Sequence, residues 1–193
     1  MIITVTQAGA GTELAAVARS LALLRARGSG RKVMLIDTGR PPAAGAPRPD
    51  RSEPKVAMRS VPGCELVTQL EQLRPHYHDI VIAADCRDPV ASRTALIAAR
   101  LAVVPVTVEQ ADVARQYQLI ARLNEARMFS PGLKVMFVLA GDARQLDGAQ
   151  LAQVRTYVSQ VKAATLAGTV IPPQPGEQDA ADAMGELYEE IYA

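Results

Sequence analysis

Short, continuous apolar runs alternate with segments of helical periodicity along the whole chain, and this alternation constrains the fold more than any other feature. Met1 to Thr6 (MIITVT), Lys32 to Asp37 (KVMLID), Asp79 to Ala84 (DIVIAA), Leu101 to Val106 (LAVVPV), Lys134 to Ala140 (KVMFVLA) and Leu166 to Ile171 read as strands, with a short one at Lys55 to Arg59. Between them, apolar residues recur at helical spacing in Glu13 to Arg27, which Gly28 can cap. The same spacing marks 64–74, Val90 to Ala99, Glu109 to Arg127, Gln145 to Ala163 and Gly176 to Tyr192. The strands are apolar throughout rather than alternately polar, as strands covered on both faces are. The expected fold is therefore α/β: a doubly wound, mostly parallel sheet with helices on both faces. Ligands of such sheets bind beyond the carboxyl ends of the strands, so the turns after Thr6, Asp37, Ala84 and Val106 are the places to look.

The chain has 193 residues, the size of one domain, and 49% of them are hydrophobic, so a core needs neither disulfide nor metal. Aromatics make up only 4%, which leaves the interior to Ala, Val, Leu and Ile. A net charge of +1 gives no global field toward nucleic acid or an anionic membrane. The N-terminus lacks a basic leader with a cleavage site, and no apolar run is long enough to span a bilayer, so the expectation is a cytoplasmic protein without a membrane partner. Six prolines between positions 41 and 62 crowd one stretch, making Gly39 to Pro54 a Pro-rich loop.

Gln7-Ala8-Gly9-Ala10-Gly11 follows the first strand and opens the first helix, where a glycine-rich turn can present backbone N–H groups to phosphate. With MIITV before it, KVMLIDT after the first helix, and then YHDIVIAADCRDPVASRTAL, LAVVPVTVEQADV, LKVMFVLAGDAR and TVIP, the whole chain resembles the ParA/MinD family of partition and positioning ATPases. It is most similar to the short plasmid-type ParA proteins. The resemblance implies a single P-loop NTPase-like domain over residues 1–193, with ATP and magnesium as the family's cofactors.

The same alignment displaces the family's chemistry. Its loop pattern KGGxGK[ST][ST] falls on Gln7 to Leu14, so that only Gly9 and Gly11 remain, while Gln7, Thr12 and Glu13 replace the signature lysine, the phosphate-binding lysine and the magnesium-binding hydroxyl. Asp37 matches the aspartate ending the second strand, but Gly39 replaces its companion. The aspartate at the end of the next main strand falls on Ala83, with Asp85 two residues on as the alternative. Phosphoryl transfer needs cations to neutralise phosphate charge. Glu13 supplies the opposite: at about 6 Å and an effective dielectric of about 20, each like-charge pair costs roughly 3 kcal/mol. Thr12 and Glu13 instead suit a self-capped helix start. The expectation is a pseudo-ATPase with no cofactor, Asp37 being a remnant.

Three other groups carry weaker signals. Arg87, Asp88 and Arg93 match the segment after the family's third main strand and mark an interface, with itself in a homodimer or with an active ParA-like ATPase, a partition protein or a conjugation protein. Arg115 and Arg122 lie seven apart on one helix, with Arg127 near its end, a strip that could hold nonspecific DNA. The alternatives to a protein-binding pseudo-ATPase are thus an active partition ATPase with ATP and magnesium at Asp37, Asp85 and Glu13, and a nucleotide-independent DNA-binding accessory. No metal site is expected: His76 and His78 lack a third ligand, Asp37 and Asp88 read as turn caps, and Cys64 and Cys86 have no ligand spacing. The C-terminal helix, about 176–192, is acidic with no basic residue, so it suits neither DNA nor a membrane surface.

Overall fold

The structure, a computed structural model, describes residues 1–7, 13–39, 56–84, 87–108, 117–142, 147–172 and 177–192. Among the described residues there are seven strands: β1 (Ile2–Thr6), β2 (Val33–Asp37), β3 (Val56–Ser60), β4 (Asp79–Ala84), β5 (Leu101–Val106), β6 (Lys134–Ala140) and β7 (Ala164–Ile171). The helices are α1 (Glu13–Ser29), α2 (Leu66–Leu73), α3 (Pro89–Ala98), α4 (Tyr117–Phe129), α5 (Gly148–Ser159) and α6 (Glu177–Tyr192). All strand pairs are parallel, in the order β3-β2-β4-β1-β5-β6-β7. This is the doubly wound sheet the apolar runs imply.

Each face of the sheet has its own core. On one, Val17, Leu21 and Ala22 of α1 and Met184 and Leu187 of α6 cover Ile3, Val5, Leu35 and Val103. On the other, Leu66 and Leu70 of α2, Leu96 of α3, Leu123 of α4 and Val154 of α5 cover Ile36, Ile82, Val104 and Phe137. Burial on both sides is why β1, β4 and β5 tolerate no polar face. Their two internal hydroxyls point at carbonyls: Thr4 Oγ1 donates to Ala95 O (2.9 Å) and Thr6 Oγ1 to Ala84 O (3.3 Å).

Several boundaries differ from the periodicity. Helix α1 runs through Gly28 to Ser29, and it is Gly30, at φ +59°, that takes the left-handed conformation ending it. An α helix begins at Leu66 only after a 3-10 turn over Gly63–Glu65. Helix α5 starts at Gly148 because Asp147 and Gln150 form a reciprocal capping box, and it stops at Ser159. Ala163, at φ 54°, turns the chain so that β7 starts at Ala164, two residues earlier than its apolar run. Helix α4 extends two residues past Arg127, to Phe129. The expected helix over 109–116 and nearly all of the Pro-rich loop, residues 40–54, lie outside the described residues.

Candidate functional site

The chain leaves β1 toward β2 and leaves β5 toward β6, on opposite sides, so the crevice of this sheet opens at its carboxyl edge between β1 and β5. There the two strands part early. Their pairing stops at Val5–Val103, which lets Pro105 occupy a central strand without breaking a bond to β1.

Around the crevice, β2 and β4 run in unbroken register from Val33–Asp79 to Asp37–Ala83, and β1 and β4 likewise to Thr6–Ala84. Ala83 therefore stands opposite Asp37. No bulge within β4 shifts Asp85 into that row; Asp85 and Cys86, like the loop residues Gly9, Gly11 and Thr12, lie outside the described residues. Glu13 is the first residue of α1. Gln7, at the end of β1, is 3% exposed and is partnered. Thr38 gives both its amide (3.1 Å) and its hydroxyl (3.2 Å) to Ala83 O, while Asp37 Oδ1 accepts from Gly39 N at 2.8 Å. The main carboxylate described at this edge is thus engaged with its own turn.

Asp88 is the N-cap of α3, its Oδ1 accepting from Val90 N and Ala91 N, each at 2.9 Å, with Pro89 in the first turn. Arg93, one turn on, reaches across to α4, where it pairs with Glu125 at 3.0 Å and lies over the Phe129 ring. Arg87 is exposed and partnered. Of the basic strip, Arg115 lies outside the described residues, Arg122 is half-buried and partnered, and Arg127 Nη1 donates to the carbonyl of Lys162. Asn124 adds two bonds to the same connection, to Gln160 O (3.1 Å) and from Lys162 N (3.3 Å). These side chains stitch α4 to the turn before β7.

His76 and His78 are exposed in the turn after α2, and His78 Nδ1 accepts from Lys32 N at 3.2 Å. Among the described residues no three His, Cys, Asp or Glu side chains converge as metal ligands, and no helix is long and apolar enough to cross a membrane.

One charged cluster escaped the sequence. Asp79, 2% exposed, opens β4 at the opposite, amino edge of the sheet. The Met1 ammonium lies 3.0 Å from one carboxylate oxygen, and Arg25 Nε and Arg31 Nε each lie 2.9 Å from the other. Burial would raise this carboxyl, but hydrogen bonds and charge from the ammonium and Arg25 hold it below the usual carboxylate range. Arg25 also donates to Tyr188 Oη (3.2 Å) and stacks 4.0 Å over Tyr192. The cluster joins α1, β4 and α6; only the lone Asp at the head of an apolar run hints at it.

No family model matches the sequence, and no curated protein does. Solved structures do. Cobyrinic acid a,c-diamide synthase from Mycobacterium smegmatis, with bound ADP and magnesium, superposes with a TM-score of 0.74 at 16% identity over 99% of this chain and 93% of that one. A plasmid partition protein from Borrelia burgdorferi gives 0.67 at 16% identity, covering 100% and 97%. The cell division ATPase MinD of Pyrococcus furiosus gives 0.68 at 16% identity, covering 99% and 98%. Across nearly its full length, this chain has the ParA/MinD-type fold.

Proposed function

We propose that the chain is a ParA-like pseudo-ATPase, a protein-binding module of plasmid maintenance, conjugation or cellular positioning that no longer hydrolyses ATP. The observation that carries this reading is the register of β2 against β4, which sets Ala83 opposite Asp37 at the strand ends. In the family that the sequence resembles, that row supplies a second carboxylate. A methyl group there can hold neither magnesium nor its water shell. The burial of Gln7 supports the same reading, because a neutral, partnered side chain enclosed in its own domain offers phosphate no cation. Partner binding would then use the faces around α3, with Arg87, Asp88 and Arg93 at the interface.

Calorimetry with millimolar ATP and ADP, with and without magnesium, tests this. The expected result is no heat and no thermal stabilisation. Micromolar, magnesium-dependent binding that Asp37→Ala abolishes would overturn it in favour of an active ATPase using Asp37, Asp85 and Glu13. Salt-sensitive duplex binding weakened by Arg122→Ala would instead support the DNA-binding accessory with Arg115, Arg122 and Arg127.

A further inference from the structure

At the amino edge of β4, β1 and β5, on the side that α2 and α3 cover, an open groove of about 520 Å³ is unused by the carboxyl-edge chemistry. Its floor is apolar, built from Ile2, Ile80 and Ala98, and Tyr77 lines it. Arg74, just after α2, and Arg100, just before β5, line it as well, and Met1 and His78 complete the lining. Both arginines are exposed, and among the described residues neither side chain has an ion pair or hydrogen bond. Exposed Lys32 and Lys134 continue the positive charge along the same edge, at the starts of β2 and β6. The carboxylate within this row, Asp79, is buried and already neutralised. Glu71, in the last turn of α2, stands on the flanking helix.

Two unpaired guanidiniums beside an apolar floor are complementary to an anion with an apolar body. The groove is open along its length, so a small molecule would remain largely in solvent, unlike ligands in pockets that enclose most of their surface. A nucleic-acid backbone would satisfy the arginines yet leave the floor uncovered. A polypeptide segment can use both features. We propose that this groove docks an acidic segment of a protein partner, seating one large apolar side chain against Ile2, Ile80 and Ala98 while flanking carboxylates pair with Arg74 and Arg100. This deepens the protein-binding reading by giving it a second face, apart from Arg87, Asp88 and Arg93, and a partner chemistry. Because the groove lies at the edge opposite the crevice, its test needs no nucleotide and can fail separately.

The probe is a labelled short peptide of glutamates interrupted by leucine and phenylalanine, compared by fluorescence anisotropy with an all-glutamate peptide of equal charge and with duplex DNA. The expected result is binding of the mixed peptide at least about tenfold tighter than the all-glutamate one. Arg74→Glu and Arg100→Glu should each weaken it about tenfold, and Arg100→Lys should weaken it much less. Arg155→Glu, the same charge change on α5, should leave it unchanged, and circular dichroism melts confirm that each variant is folded. Failure of the mixed peptide to bind, equal binding of the two peptides, indifference to both glutamate substitutions, or preference for DNA would each overturn the proposal.

Discussion

The α-carbon of Gly63 packs so closely against the cap of α3 that a methyl group added to it would come within 2.5 Å of Asp88 Oδ2, with Ala91 N at 2.7 Å. One of these neighbours is backbone, so the contact cannot be relieved by swinging a flexible side chain. Gly63→Ala should cost about 2 kcal/mol, the scale of overpacking a tight contact. Gly132→Ala, where nothing lies within 4 Å, should stay within about 0.5 kcal/mol of wild type. Urea denaturation of the two variants checks this.

Asp79 makes the fold acid-sensitive. Its carboxyl is held below the ordinary range when folded, so its contribution is complete above about pH 4, the unfolded value, and is lost as pH falls through the lowered value. Removing it strands cations that reach solvent only partly, and Asp79→Asn should cost about 3 kcal/mol at pH 7. The gap between wild type and variant should narrow toward pH 3. Chemical denaturation at both pH values measures it.

Glu190 of α6 fastens the stretch of β7 where its register to β6 shifts. Its Oε1 accepts from Gly168 N at 2.9 Å, in the outermost strand, β7. Glu190→Ala should destabilise by about 1 kcal/mol. Urea denaturation of the variant measures the loss.

Tyr157 buries a hydroxyl that has no partner among the described residues, and that burial pushes its pKa up to about 12. The ring itself packs edge-on against Phe137 at 5.6 Å. Tyr157→Phe keeps the ring and removes the stranded polar atom, so stability should stay equal to wild type or rise by up to about 1 kcal/mol. A thermal melt decides it.

The strands and the class of fold were legible because burial on both faces leaves its mark residue by residue in runs such as DIVIAA and LAVVPV. Local signals placed boundaries less well. Gly28 reads as the helix stop, yet the chain takes the left-handed turn at Gly30, which no local signal marks. The charged groups were illegible for a different reason. Arg25 and Asp79 stand 54 residues apart, and nothing in either neighbourhood names the other. Arg127 reads as a free surface cation until its donation to Lys162, 35 residues on, is seen. The groove beside Arg74 and Arg100 gathers the end of α2, the end of α3 and the starts of β1, β4 and β5, segments that only the fold brings together.

The central place of β1 has a consequence for how the molecule is made. Its partners are β4 and β5, so Thr6 meets Ala84, 78 positions further along the sequence, and nothing nearer completes its ladder. During synthesis this strand leaves the ribosome before either neighbour and must wait, apolar on both faces, until β4 and β5 have followed. Fragments ending before β5 would carry that strand without one of its two neighbours. The middle of this sheet is therefore closed by long-range pairing alone, the kind of contact that makes folding slow and leaves an apolar strand exposed until its partners arrive.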